Sequence, residues 1–200
     1  MNVPSREECY RIMIGMSMPD HIVAHSFQVC RIAVLLAKSR AAVNGALHLG
    51  LVEASALLHD ITKARSFQTG EDHARSGGVY LAELGYPDVA GVIGQHVRLE
   101  AYFASETVSE AEIVNYADKR VVHDRIVPLE ERIVYLLEHY GTEEPWRSRI
   151  LMLAEKAREM ESRIFLGLPF APGEIERKIA GDDRLQVYSS IRQQLDVEVS

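Results

Sequence analysis

The sequence has only two cysteines, Cys9 and Cys30, among its 200 residues. Both fall in apolar stretches with helical periodicity, so we expect two buried thiols and no disulfide framework. A basic segment followed by an apolar one is missing at the start of the chain, which argues against a secretory signal and favours the cytoplasm. No apolar run approaches the roughly 20 residues that a membrane-spanning helix needs. We therefore expect no membrane crossing.

An excess of basic charge is missing as well. The chain carries 22 Lys and Arg against 29 Asp and Glu, which gives a formal net charge of −7. A general nucleic-acid binder normally presents a basic stripe, so this class is not favoured. A small anionic substrate stays compatible with the acidic balance, because bound metal ions and a few local cations set the field inside a site.

Alternation of apolar and polar residues with period two is also absent, which predicts an all-α fold. Two capping boxes, Ser5 with Glu8 and Ser109 with Glu112, mark helix starts. Residues 62–72 and 97–107 are predicted loops. The predicted helices cover residues 6–16, 20–43, 48–61, 71–84, 87–96, 109–121, 128–140, 145–166, 174–180 and 184–195. We divide the chain into a core over residues 1–140 and a helical extension over residues 141–200, which packs on the core or on a second subunit.

Side chains with metal-ligand chemistry occur at inward or terminal positions of these helices. His59 and Asp60 end an apolar helix, and Lys63 follows three residues later. His25 shares a helix face with aliphatic residues at positions 29, 32 and 36. Asp118 lies between apolar neighbours, where a carboxylate is costly unless it is paired or bound to a metal. His73 and His96 are predicted at helix ends.

Each of these six residues also has an ordinary explanation when taken alone. His25 could be a hydrogen-bonded core histidine, His73 and His96 could be surface residues, and Asp118 could pair with a nearby Lys or Arg. One metal centre, however, explains all six positions together. Imidazole and carboxylate ligands suit Fe, Mn, Co, Ni or Zn, and the absence of thiolates weighs against a structural zinc site.

The order of a histidine, a His-Asp doublet and a later aspartate resembles the HD-domain superfamily of metal-dependent phosphohydrolases. The resemblance implies an all-α helical bundle that hydrolyses a phosphoester or phosphoanhydride, with Fe or Mn favoured and Zn, Co, Ni or Mg as alternatives. In subfamilies with two metals, two further histidines lie between the doublet and the last aspartate, and the aspartate of the doublet bridges. The implied ligands are His25, His59, Asp60 and Asp118 for one ion, and Asp60, His73 and His96 for a second.

Three segments look most like the bacterial branch that includes symmetrical dinucleoside tetraphosphate hydrolases. They are residues 59–63 (HDITK), 73–81 (HARSGGVYL) and 94–96 (GQH). The segments after His96 and Asp118 instead look like uncharacterised HD proteins. The resemblance therefore implies a small phosphorylated, nucleotide-like substrate and leaves its identity open.

The catalytic residues that we predict are Asp60 and Lys63, where Lys63 would hold a substrate phosphate as a point charge. Arg98 and Arg120 are further candidates for phosphate binding, and Arg125 is more typical of a structural ion pair. Three alternatives stay open at this stage. The centre could hold one metal, with His73 or His96 binding phosphate; the protein could be a catalytically silent metal- or nucleotide-binding regulatory module; and it could be a purely structural helical protein. A homodimer is a further prediction.

Overall fold

A computed structural model describes residues 1–44, 47–179 and 184–198. These residues form an α-helical bundle with one very short β-hairpin, so the prediction of an all-α fold is confirmed. The helices are α1 (Arg6–Gly15), α2 (Asp20–Asn44), α3 (Leu49–Leu58), α4 (Lys63–Thr69), α5 (His73–Glu83), α6 (Pro87–Ile93), α7 (Glu110–Asp118), α8 (Leu129–Tyr140), α9 (Trp146–Phe165), α10 (Ile175–Lys178) and α11 (Arg184–Glu198), and the strands are β1 (Val121–Val122) and β2 (Arg125–Ile126).

Local side-chain chemistry fixes several of the helix starts. Both predicted capping boxes are present, at Ser5 with Glu8 and at Ser109 with Glu112, so the free N–H groups of α1 and α7 have side-chain acceptors. Asp72 caps α5 by accepting from the backbone N–H groups of two residues in its first turn. This cap sets the first residue of α5, and that residue is His73.

Helix α2 is the centre of the bundle and packs against α3 and α7. Over Asp20–Val43 this helix is long and apolar enough to cross a membrane, judged by length and composition alone. The sequence analysis did not identify this stretch as a long apolar run. However, 61% of its apolar window is buried inside the protein. This is the burial of a core helix, since its aliphatic face meets α3 and α7 rather than an open surface.

Residues 62–72, which the sequence predicted as a loop, contain a short helix, α4. Helix α3 ends at Leu58, and two tight backbone hydrogen bonds turn the chain: Ile61 N–H to the Leu58 carbonyl at 3.1 Å and Lys63 N–H to the Asp60 carbonyl at 2.9 Å. Helix α4 then begins at Lys63 and ends at Thr69, and its C-cap residue Gly70 has a φ of 72°, which suits a residue without a Cβ. The doublet therefore sits in a turn between two helices, not inside a longer helix.

Helix α6 is also shorter than predicted, because it ends at Ile93 rather than at His96. The last residues are held instead by tighter bonds of the i to i−3 type, including His96 N–H to the Ile93 carbonyl at 3.2 Å. The hairpin of β1 and β2 was not predicted, since two residues per strand are too few to show an alternating pattern. Its register pairs Val121 with Ile126 and Val122 with Arg125, and His123 in the turn has a left-handed φ of 56°.

The C-terminal helices pack onto the rest of the same chain. Helix α9 lies against α8 and α7, and α11 lies against α1 and α2. The ring of Tyr188 in α11 makes edge-to-face contacts with Tyr10 and Phe27, with ring centroids 5.7 Å apart in each pair. The division of the chain at residue 140 stays a prediction.

Candidate metal centre

The six predicted ligands lie together at the middle of the bundle. They come from five parts of the chain, so the packing of the helices decides their geometry. Within the described residues, two groups have ligand atoms that all lie within 4.8 Å of one another: His25, His59 and Asp118 form one, and His59, Asp60 and His96 form the other.

The first half of the cluster faces one oxygen of Asp60. His25 Nε2 lies 3.1 Å from Asp118 Oδ1 and 3.8 Å from Asp60 Oδ2. His59 Nε2 lies 3.4 Å from the same Asp60 Oδ2 and 3.8 Å from Asp118 Oδ1. Two imidazole nitrogens and two carboxylate oxygens therefore surround one small volume.

The second half faces the other oxygen of the same carboxylate. Asp60 Oδ1 lies 3.3 Å from His73 Nε2 and 3.5 Å from His96 Nε2. The two Nε2 atoms of His73 and His96 are 3.2 Å apart. Asp60 thus presents one oxygen to each half of the cluster, which is the arrangement that a bridging carboxylate requires.

Backbone carbonyls fix which nitrogen of three rings carries a proton. In His25, His59 and His96, Nδ1 contacts a carbonyl oxygen, and because a carbonyl only accepts, Nδ1 must donate. In the neutral ring Nε2 then has a free lone pair, and this lone pair faces the carboxylates. The three acceptors are the carbonyl oxygens of His123, Ala56 and Ile93, at 2.8, 2.8 and 2.7 Å.

Lone pairs that face ionised carboxylates repel them unless a positive charge lies between. His59 Nε2 and Asp60 Oδ1 are both buried and have no hydrogen-bond partner. Unpartnered buried polar atoms are rare and costly, and cations bound in the two halves of the cluster would give each of these atoms a partner. The nitrogen and oxygen donors, without a thiolate, fit divalent first-row transition metals, Mn²⁺ included.

The charge states of the cluster match this requirement. Burial alone would raise the pKa of Asp60, but the surrounding imidazoles, His59 first, hold that pKa well below its usual range. Burial lowers the pKa of His59. The carboxylate is therefore ionised and the His59 ring neutral at pH 7, and these are the forms that bind a metal.

Lys63 lies at the edge of the cluster and donates to Asp60 Oδ2 at 2.6 Å. Burial opposes its charge, yet Asp60 and Asp118 raise the pKa of its ammonium group. Lys63 therefore stays charged next to the metal ligands, at the entrance where a phosphate would approach.

A cavity of about 410 Å³ opens onto Asp60, His73, His96 and Asp118. Its remaining lining comes from Lys63, Val97 and Lys119, and from helices α8 and α9, which contribute Leu129, Arg132, Ile133, Leu136, Tyr140, Ile150, Leu153, Ala154 and Ala157. The open side of the cluster is therefore a pocket with three cations near the ligands and an apolar far wall.

Two of these cations, Lys119 and Arg132, were missed at the level of sequence. Lys119 Nζ donates to Asn115 Oδ1 at 2.7 Å. Burial lowers the pKa of Lys119 to about 8; the charge of Asp118 opposes this shift, and the charge of Arg132 adds to it. The Nε of Arg132 is buried without a hydrogen-bond partner. The position of Lys119 directly after Asp118 was a usable signal, whereas Arg132 in α8 follows no motif.

The structure does not bring the two other predicted phosphate-binding residues to the pocket. Arg98 is exposed and lies outside the lining. Arg120 is buried on another side, where its guanidinium donates to the carbonyls of Val127 and Pro172 and to the hydroxyl of Tyr116. Arg120 therefore makes structural contacts away from the pocket, and its role in substrate binding stays a prediction. Arg125 pairs with Glu131 at 3.2 Å, as expected for a structural ion pair.

This helical bundle gathers four histidines and a second aspartate around the Asp60 carboxylate, a set of groups that could hold divalent metal ions. The model of the HD domain family matches residues 22–121, which is half of the chain, and the chain belongs to this family. It is thereby part of a superfamily of metal-dependent hydrolases.

No curated protein matches the chain. Among solved structures, the chain is similar to the crystal structure of a predicted HD superfamily hydrolase from an uncultured Thermotogales bacterium, with 23% sequence identity. The match covers 80% of this chain and 90% of that one, with a TM-score of 0.43.

Proposed function

We propose that the protein is a phosphohydrolase that cleaves a phosphoester or phosphoanhydride bond of a nucleotide-like substrate at a dinuclear metal centre. The observation that carries the proposal is the division of the Asp60 carboxylate, with Oδ2 toward His25 and His59 and Oδ1 toward His73 and His96. One ion would bind His25, His59, Asp60 and Asp118, and the second would bind Asp60, His73 and His96.

Bound metal ions would supply a water nucleophile at neutral pH and neutralise charge on the phosphoryl oxygens. The chain's own residues do the rest. Water attacks phosphorus, the bond from phosphorus to the leaving oxygen breaks, and that oxygen takes up a proton. Lys63, held by Asp60 Oδ2 at 2.6 Å, places its charge on a phosphoryl oxygen and stabilises the negative charge that grows in the transition state.

The finer parts of this proposal rest on the sequence resemblance. Fe or Mn is the favoured metal, with Zn, Co, Ni and Mg as alternatives, because histidine and carboxylate ligands suit all of them. The segments at residues 59–63, 73–81 and 94–96 support membership of the branch with symmetrical dinucleoside tetraphosphate hydrolases. A location in the cytoplasm and a homodimer belong to the same set of proposals.

Replacing Asp60 by Ala tests the function directly. We expect the variant to lose bound metal and hydrolysis together, because one carboxylate serves both halves of the centre. Metal per chain is measured by elemental analysis, and hydrolysis is measured against nucleotides, dinucleoside polyphosphates, cyclic nucleotides and a chromogenic phosphodiester. The matched control is Asp124→Ala at the exposed tip of the hairpin. Hydrolysis that persists in metal-free Asp60→Ala protein would overturn the mechanism.

Counting metal in His73→Ala and His96→Ala separates one ion from two. A dinuclear centre predicts about two ions per chain in the unchanged protein and about one in either variant. One ion in all three proteins would show a mononuclear centre in which these histidines bind phosphate. Tight nucleotide binding without any product across the whole panel would instead indicate a silent regulatory module.

A further inference from the structure

The pocket beside the metal ligands has two ends of different chemistry. Near the ligands, Lys63, Lys119 and Arg132 provide positive charge. Most of the remaining lining is a wall formed by α8 and α9, which lie outside residues 22–121 that match the family; α8 also carries Arg132. This wall is formed by aliphatic side chains: Leu129, Ile133, Leu136, Ile150, Leu153, Ala154 and Ala157.

The wall offers almost no hydrogen bonds from side chains. Among the described residues that line the pocket, no Asn, Gln, Ser or Thr is present. Apart from His73 and His96, the hydroxyl of Tyr140 is the one uncharged hydrogen-bonding side-chain group in that lining, and Tyr140 is 62% exposed. A polar group of a ligand pressed against this wall would lose its water without a replacement partner, which is costly. The wall therefore favours an apolar surface.

The size of the cavity leaves room for such a group. Its volume of about 410 Å³ lies within the range of about 300–1,000 Å³ that is usual for small-molecule sites. A phosphate held by the ligands and the three cations fills only a fraction of that volume. The group bonded to the phosphate then lies against α8 and α9, since the ligands close the other side.

We propose that the wall formed by α8 and α9 selects phosphate esters whose leaving group presents an apolar face, such as an aryl ring, a branched aliphatic chain or the flat face of a nucleobase. Esters of sugars and polyols that carry no apolar group are disfavoured in comparison. This inference rests on the proposed function. In the reaction water adds to phosphorus, the ester P–O bond breaks, and the apolar alcohol leaves with a proton while inorganic phosphate stays at the cationic end.

Binding of phosphonates tests the wall without turnover, because their P–C bond is not hydrolysed. For the metal-loaded full chain, we expect benzylphosphonate to bind about tenfold or more tightly than 3-hydroxypropylphosphonate by calorimetry, since only the ring buries apolar surface on the wall. Leu153→Asn and Leu136→Asn should each reduce this ratio severalfold. Both side chains line the pocket but are only partly buried, so the variants should fold. The control is Met152→Asn, the exposed neighbour on α9, which should keep the ratio.

Hydrolysis of 1-naphthyl phosphate and glycerol 2-phosphate separates failure of this inference from failure of the proposed function. A preference for the naphthyl ester that Leu153→Asn removes and Met152→Asn keeps supports the inference. Equal hydrolysis of the two esters, or equal binding of the two phosphonates, overturns the inference and leaves the phosphohydrolase in place. Absence of hydrolysis with these esters and with the whole nucleotide panel overturns the proposed function itself.

Discussion

Arg132 has the features expected of a residue that binds the substrate phosphate in the proposed function. It lines the pocket, its Nε is buried without a partner, and its charge lowers the pKa values of both Asp118 and Lys119. A charged hydrogen bond of this kind contributes about 1.5–3 kcal/mol. We therefore expect Arg132→Met to weaken substrate binding about tenfold to a hundredfold, seen as a higher KM, while bound metal per chain stays unchanged.

Arg125→Met is the matched control for this prediction, because Arg125 is exposed and pairs with Glu131. Arg132→Lys should recover part of the binding, since a point charge replaces the planar fork of donors. If KM in Arg132→Met equals that of the control, Arg132 does not contact the substrate.

Residue chemistry explains which parts of the site could be predicted from sequence. The six ligand candidates could be found because histidine and aspartate on inward helix faces are costly without a partner. The role of Arg120 could not be read in the same way. Helix α7 ends at Asp118, and Arg120 lies in the turn that follows, where distant carbonyls of Val127 and Pro172 hold its guanidinium away from the pocket. Arg132 was missed because an arginine on an amphipathic helix has the pattern of an ordinary surface residue.

At the scale of elements, the close packing of α5 on α6 holds His73 next to His96. A Cβ built on Gly78 would lie 3.1 Å from the Ala90 carbonyl oxygen and 3.5 Å from the Gly94 Cα, both of which are backbone atoms. These atoms cannot move without the helix that carries them. Gly78 therefore sets the distance between α5 and α6, and with it the 3.2 Å separation of the two Nε2 atoms.

We expect Gly78→Ala to push α6 away from α5, to lower the free energy of unfolding by about 1–3 kcal/mol, and to reduce the affinity for the second metal. Gly91→Ala on α6 is the control, because a Cβ there would meet nothing within 4 Å. Denaturant unfolding and metal counting measure the two effects. Equal stability and metal content in the two variants would show that the helices can separate without cost to the site.

The elements that sequence analysis found are those with local signals, and the elements that it missed depend on distant contacts. The capping boxes at Ser5 and Ser109 predicted the starts of α1 and α7 because the hydrogen bonds lie within four residues. The hairpin has no such signal. Its contribution to the site is the carbonyl of His123, which orients His25 from 98 positions away in the chain.

At the scale of the whole molecule, the ligands bring together segments from residue 25 to residue 118 around one centre. The unfolded chain has no such arrangement, so metal binding should stabilise the folded state as a whole. Burial of α2 against α3 and α7 builds most of the framework, while the metal would offset repulsion between lone pairs and carboxylates at its middle. Folding and metal binding are therefore coupled.

This coupling predicts a metal-dependent melting temperature. A ligand at 100 times its Kd adds about 2.7 kcal/mol per site, and one kcal/mol shifts the melting temperature of a 200-residue protein by about 2–4 °C. Removing metal with a chelator should thus lower the melting temperature by about 5–10 °C for each site lost. The gain from metal should shrink in acid, since protons compete for the Nε2 lone pair of His59, whose pKa burial lowers. His73→Ala should lose about half of the shift, whereas Asp124→Ala should keep it, and a melting temperature that is independent of metal would contradict the coupling.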